Sequence, residues 1–277
     1  MCGDILKNKV AAHKGERDIM AVNVDIKALF EAGVHFGHKT SRWHPKMAKY
    51  IFSKRQDTHI IDLDKTVEGL DQALAFITKT VASGRSILFV GTKKQMKEVV
   101  REAAISVKQP YVTERWIGGT LTNVVTINKQ LRKLHDLERR MKSGELEKRY
   151  SKFEVQKFQE QIDLLNTRYG GIKDMKGRPG AIFAIDMLTE ANAIKEARTL
   201  GIPVIAIADT NVNPELADYV IPGNDDAIKG VALILDYVAK AVSEGLGLAK
   251  KDSDKKEEKK PEQPQEKHPE QTKKVDS

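Results

Sequence analysis

The hydrophobic positions of the chain fall into short unbroken runs, separated by longer stretches of helical spacing. "THIIDL" (58–63), "SILFVG" (86–91), "YVTE" (111–114), "AIFAID" (181–186), "PVIAIAD" (203–209) and "DYVIPG" (218–223) each read as a strand. Most are apolar on both faces, as a sheet covered on two sides requires. Between them, Val67, Leu70, Leu74 and Ile77 form one stripe over 64–82, and Met96, Val99, Val100 and Ala103 a second over 93–107. Val231, Leu235 and Val238 form a third over 226–242. Such alternation predicts an α/β domain with a doubly wound, mostly parallel sheet. Ahead of the first run, "DIKALFEAGVHFGH" predicts a short helix whose Leu29, Phe30, Val34 and Phe36 pack on the sheet, with His35 and His38 satisfied by backbone groups.

The stretch from 115 to 180 is longer than one crossover helix needs, so something is inserted there. Val124, Ile127, Leu131, Leu134 and Met141 keep a three-four spacing, and Val155, Phe158, Ile162, Leu165 and Tyr169 repeat it. Ser151 with Glu154 forms a capping box, and Tyr150 can pack on Val155 as a staple. The pattern predicts an antiparallel helical hairpin of coiled-coil type over 122–169, turning at "KSGELEKR". Its outer faces carry Arg132, Lys133, Arg139 and Arg140, read either as a solvated surface or as a partner-binding arm. The α/β domain is then made of 21–121 and 170–248. Residues 1–20 read as a flexible N-terminal arm or, with Met20 as the start, an upstream addition. Residues 249–277, nearly all Lys, Glu, Gln, Pro and Asp, predict a disordered charged tail.

Composition narrows the function. Across 277 residues the net charge is +8, and most of it lies on the middle of the chain rather than on the balanced ends. Nucleic acid is the leading partner, because a basic surface releases the counterions condensed on phosphates. A single cysteine, Cys2, excludes an internal disulfide and a multi-cysteine zinc site, and suits a reducing cytoplasm. An anionic membrane surface comes second to nucleic acid, and no apolar run is long enough to span a bilayer, so the chain is not expected to be embedded; no membrane is expected among its partners.

The candidate chemistry sits in loops. "GVHFGHKTSRWHPKMAKYIF" (33–52) contains no carboxylate. Lys39, Arg42, Lys46 and Lys49, interleaved with Trp43, His44 and Tyr50, suit a phosphate backbone with an unstacked base or ribose edge. A metal reading would use His35, His38 and His44, with Asp209 as a further candidate. Zinc needs three or four ligands, and the neighbouring sequence supplies neither acid nor thiol, so no metal and no cofactor are expected. "FVGTKKQ" could hold a phosphate at Gly91 and Thr92, helped by Lys93 and Lys94, but it lacks the spacing of a nucleotide loop. "RWIGGTLTN" places Arg115 and Trp116 before Gly118 and Gly119, and reads as an anion site or as a tight turn with Trp116 in the core. Asp186 and Asp209 at strand ends leave open an enzyme that uses them as acid, base or magnesium ligand. Equally, they cap the turns that follow.

In order along the chain, "GVHFGHKTSRWHPKM", "HIIDLDKT", "ILFVGTKKQ", "RWIGGTLTN", "YGGIKDM", "PVIAIADTN" and "YVIPGNDDAIK" are similar to the motifs of the bacterial small-subunit ribosomal protein S2 family, from about 20 to 245. That resemblance implies a flavodoxin-like sheet domain with a protruding coiled-coil hairpin, and no enzymatic activity. It also implies a cytoplasmic, ribosome-bound structural protein that binds small-subunit rRNA near the junction of head and body. Its partners would be neighbouring small-subunit proteins, including the large mRNA-binding protein of OB repeats, which it helps to dock for translation. The family's basic motif falls on His35, Gly37, His38, Arg42, Trp43, Pro45, Lys46 and Met47. Its other two loops fall on Gly91–Lys93 and on Arg115, Trp116, Gly118, Gly119, Thr122 and Asn123. The sequence departs from the family at His44, where Asn is common. The expected RNA-binding set is Lys39, Arg42, Trp43, His44, Lys46, Lys49, Lys93, Lys94 and Arg115, with no catalytic residue.

Overall fold

The structure, a computed structural model, describes residues 24–257. The expected arm over 1–20 and the tail beyond 257 lie outside the described residues. A short helix α1 (Ile26–Glu31) leads into β1 (Phe36–Lys39), β2 (Ile51–Arg55) and β3 (Thr58–Ile61). These strands form an antiparallel sheet in the order β1-β3-β2. Helix α2 (Leu63–Ala82), capped by the Asp62 side chain, then feeds β4 (Ile87–Val90), α3 (Lys97–Ser106) and β5 (Tyr111–Val112). Next come α4 (Val124–Lys142), α5 (Glu145–Arg149) and α6 (Lys152–Tyr169). The chain finishes with β6 (Ala181–Ala184), α7 (Ala191–Thr199), β7 (Val204–Ala208), β8 (Tyr219–Pro222) and α8 (Ile228–Glu257).

Strands β4 to β8 build one five-stranded sheet in the order β5-β4-β6-β7-β8, every neighbouring pair parallel. Counted within that sheet the order is 2-1-3-4-5, one of the two common doubly wound orders, and it reverses between β4 and β6. The fully buried strands explain their unbroken apolar runs: alternate side chains serve two different cores. On one face Phe89, Phe183, Ile205 and Ile207 pack with Leu70 and Ile77 of α2, Val100 of α3 and Leu235 of α8. On the other, Leu88, Ile182, Val204 and Ala206 pack with Ile194 of α7, Trp116, and Ile127, Leu134, Ile162 and Leu165 from α4 and α6. Each fully buried Val, Leu, Ile or Phe side chain among them contributes roughly 1.5–3 kcal/mol.

Helices α4 and α6 run where the three-four spacing places them, and the capping box at Ser151 and Glu154 is present. Asn166 Nδ2 donates to Glu138 Oε1 at 2.9 Å, joining the two helices at the position where the apolar stripe of α4 is interrupted.

Four expectations change. "THIIDL" does form a strand, but in the small antiparallel sheet rather than the parallel one. Strands β1 and β2 were not legible, because both are largely solvent-exposed and show no apolar run; Phe52 is 75% exposed. The first helix ends at Glu31, so Phe30 and Phe36 are exposed while only Leu29 and Val34 of the expected four are buried. Finally, α8 continues to Glu257, beyond the expected start of the tail at 249. Lys, Glu and Asp extend a helix whose buried first half already carries the cost of nucleation. Among the described residues, no helix is long and apolar enough to cross a membrane.

Candidate nucleic-acid interface

The loops after β4, β5, β6, β7 and β8 all lie at the carboxyl end of the parallel sheet, the end that binds ligands in doubly wound folds. The basic N-terminal segment is fastened to this same end through Thr210, just beyond β7. Thr210 is fully buried; its Oγ1 accepts from the His38 amide at 2.9 Å, and its carbonyl accepts from the His44 amide at 2.7 Å. Gly37 makes the approach possible, since a Cβ there would lie 2.6 Å from Thr210 Cγ2 and 3.1 Å from the His59 carbonyl oxygen. His44 caps the 3-10 turn Pro45–Tyr50, its Nδ1 accepting from the Lys46 amide at 3.2 Å. Asn can cap a turn in the same way, so a His at this position keeps the cap.

Held in this way, Lys39, Arg42 and Lys49 are exposed, and none has an ion-pair partner among the described residues. Lys49 Nζ lies over the Tyr50 ring at 4.8 Å. Trp43 is half-exposed, its ring 5.2 Å from that of His59. Lys46 is already paired with Glu215. Lys94 and Arg115, on the neighbouring strand-end loops, are exposed and likewise unpaired among the described residues.

Lys93 does not join that surface. Its Nζ turns inward to Asp226 at 2.6 Å, Asp225 at 3.1 Å and Asp186 at 3.5 Å. Burial lowers its pKa, but the three aspartates outweigh this and the net shift is upward, so the ammonium stays charged. Asp225 is itself pushed up to about 7, first by burial and then by the charges of Asp186 and Asp209, with Lys93 opposing. The expected phosphate loop at Gly91 and Thr92 is also occupied from within. The Thr92 amide donates to Glu190 Oε1 at 2.5 Å, and the helix starts only at Lys97.

"RWIGGTLTN" forms the tight turn with Trp116 in the core, and its donors are taken up within the protein instead of facing an external anion. Trp116 is 8% exposed and belongs to the core, and the loop closes around the carboxylate of Glu196 on α7. Glu196 Oε1 accepts from Trp116 Nε1 at 3.0 Å and the Gly119 amide at 2.8 Å. Its Oε2 accepts from the amides of Leu121 at 3.0 Å and Thr122 at 3.2 Å, and from Thr122 Oγ1 at 3.1 Å. Burial raises the pKa of Glu196, but these donors more than offset it and the net shift is downward. Asp186 caps its own turn, accepting from the amides of Leu188 at 2.8 Å and Thr189 at 3.2 Å.

The three histidines of the opening motif separate. His35 stacks on Phe30 at 4.3 Å and packs against Phe36, and burial lowers its pKa. His38, expected to meet backbone groups, faces carboxylates instead: Nδ1 is 3.0 Å from Asp209 Oδ2 and Nε2 is 3.7 Å from Asp226 Oδ2. Contact with Asp209 raises the His38 pKa and outweighs the burial that lowers it, with Asp225 and Asp226 adding to the rise. Thr210, Glu196, Glu215, Asp225 and Asp226 escaped the sequence reading. The acid pair after β8 carried a positional signal at a strand end, whereas Glu196 looks like any surface glutamate of an amphipathic helix.

The family profile described as "Ribosomal protein S2" matches residues 29–245. The chain is 52% identical over 222 residues to the small ribosomal subunit protein uS2 of Roseiflexus sp. (strain RS-1), covering 80% of this chain and 84% of the relative. It is 51% identical over 223 residues to the small ribosomal subunit protein uS2 of Chloroflexus aggregans (strain MD-66 / DSM 9485), covering 80% and 93%. The matched span takes in the whole parallel sheet, the inserted helices and the basic segment fastened to Thr210, and on that footing the chain belongs to the ribosomal protein S2 family.

Proposed function

We propose that the chain is a structural component of the small ribosomal subunit, bound to rRNA in the cytoplasm and without enzymatic activity. The observation that carries this reading is the exposed, unpaired set Lys39, Arg42 and Lys49, flanked by Trp43 and held rigidly against the strand ends. Lys94 and Arg115 extend the surface, and His44 shapes it. Lys93 supports it from within, and Lys46, though exposed, already has its charge paired with Glu215. Contacts of this kind position a protein on a folded backbone by charge and shape rather than by base sequence. Asp186 is engaged in its own turn, which favours a scaffold over a catalyst.

Helices α4 and α6 are read as a coiled-coil arm reaching a neighbouring component. Docking of the large OB-repeat mRNA-binding protein follows from the family resemblance and belongs to the same proposal. The test is sedimentation of a lysate from the source cells, with this protein followed across the gradient. Co-migration with the small subunit at about one copy, lost only at high salt, is the expected result. Recovery among free proteins at moderate salt would overturn it.

A further inference from the structure

The segment "YGGIKDMKGRPG" (169–180) has no part in the surface at the carboxyl end of the sheet. It carries the chain from the end of α6 to β6 and lies at the opposite, amino end, where Ser86, Pro110 and Gly180 immediately precede β4, β5 and β6. A cavity of about 680 Å³ opens beside these strand starts. Five cations line it, Arg85, Lys108, Lys173, Lys176 and Arg178, against one carboxylate, Asp174. None of the five has an ion-pair partner among the described residues. The adjoining cavity, which shares Tyr111 and Gly171, is balanced, with Arg101 and Arg168 against Glu98 and Glu114. One-signed charge therefore belongs to this cavity and not to the whole end of the sheet, and a concave wall of one sign concentrates ions of the other.

The backbone points the same way. Lys108 has a left-handed conformation (φ 53°), uncommon for a residue with a side chain, in a turn where its amide donates to the Ile105 carbonyl at 3.0 Å. The amides of Lys176 and Arg178 donate to no carbonyl among the described residues, so this loop has unused donors as well as unused charge. The rest of the wall is apolar, from Ile105, Pro110, Tyr111 and Met175. Gly171 seats the tyrosine: a Cβ there would lie 2.7 Å from Cδ2 of its ring and 2.2 Å from its carbonyl oxygen.

We propose that this cavity binds a free nucleoside di- or triphosphate, its polyphosphate on the cations and its base against Pro110, Tyr111 and Met175. Guanidinium forks and backbone amides suit phosphate oxygens, and a flat base suits the apolar wall. The surplus of four positive charges exceeds the single charge of each phosphodiester in an RNA strand and is near the roughly three charges of a nucleoside diphosphate. The volume lies within the roughly 300–1,000 Å³ of small-ligand sites. This cavity is separate from the rRNA-binding surface and its occupant does not depend on that reading.

The experiment is calorimetric titration of the full chain with ATP at about 0.15 M salt. Saturable binding of one ATP per chain is expected, roughly tenfold or more weaker in the double variant Lys173→Ala, Arg178→Ala, and adenosine should show none. The variant is checked for wild-type circular dichroism. No saturable binding by the wild type overturns the proposal, as does equal binding by the variant. So does a short single-stranded oligoribonucleotide that binds as tightly as ATP and loses as much in the variant, because the cavity would then take an RNA strand. Should the variant misfold, photo-crosslinking of the wild type with 8-azido-ATP decides. Label on peptides spanning 105–111 or 170–178 is expected, and label elsewhere overturns the assignment.

Discussion

The Trp116 indole donates to Glu196 at 3.0 Å across eighty residues of chain, and the same carboxylate gathers the amides of Gly119, Leu121 and Thr122. A glycine-rich loop with outward-facing amides has the form of an anion site, and here the protein supplies the anion. Glu196→Gln removes the charge and turns one acceptor into a donor facing donors. The expected loss is about 2 kcal/mol, since the carboxylate is only partly shielded from water. Urea denaturation checks it, and an unchanged midpoint would mean that the loop holds its shape without Glu196.

Glu196 also fixes a direction of pH dependence. Its folded pKa lies below the ordinary glutamate value of about 4.3. Its stabilisation is therefore complete above that value and is lost as pH falls through the lower folded pKa. Between pH 6 and pH 3 the stability difference between wild type and Glu196→Gln should shrink. Thermal unfolding across that window measures it, and a constant difference would refute the linkage.

Gly37→Ala tests how the basic segment is seated. The added methyl meets Thr210 Cγ2 at 2.6 Å and the His59 carbonyl oxygen at 3.1 Å, so one of these must move. A cost of about 1–3 kcal/mol is expected, together with reduced recovery in small-subunit fractions. Normal stability and normal co-sedimentation would show that the segment can shift without consequence.

The pairing of Lys46 with Glu215 separates cations that sequence alone treats as equal. Replacing both Lys39 and Arg42 by Ala should flatten the salt dependence of rRNA binding by about two units of slope. Lys46→Ala should change it by less than Lys39→Ala does. Filter binding of the protein to a small-subunit rRNA fragment over a salt series distinguishes them; equal slopes for wild type and the Lys39, Arg42 double variant would remove that pair from the interface.

Lys93→Met should act on stability and not on the salt slope. It leaves Asp225, Asp226 and Asp186 facing one another without their ammonium. About 2 kcal/mol is expected, less than for a fully buried pair because water reaches the site. A reduced salt slope with unchanged stability would return Lys93 to the RNA surface.

The parallel sheet was legible because its strands are buried on both faces and so appear as unbroken apolar runs; the helices were legible because each packs one stripe. Helix α4, helix α6 and the capping box at Ser151 were equally plain, since spacing and capping are local chemistry. The exposed cations of the basic segment also followed from composition, because nothing near them in sequence could neutralise them. Strands β1 and β2 were hidden, as a small exposed sheet places no apolar demand on its residues. Which lysines face outward was decided only in three dimensions: Lys93 and Lys94 are neighbours in sequence, yet one lies among three aspartates and the other in solvent. The same holds for Glu196 in the "RWIGGTLTN" loop and for the carboxylates around His38. Parallel crossovers bring strand ends together from distant parts of the chain, and side chains that meet at such an end leave no periodic trace in sequence.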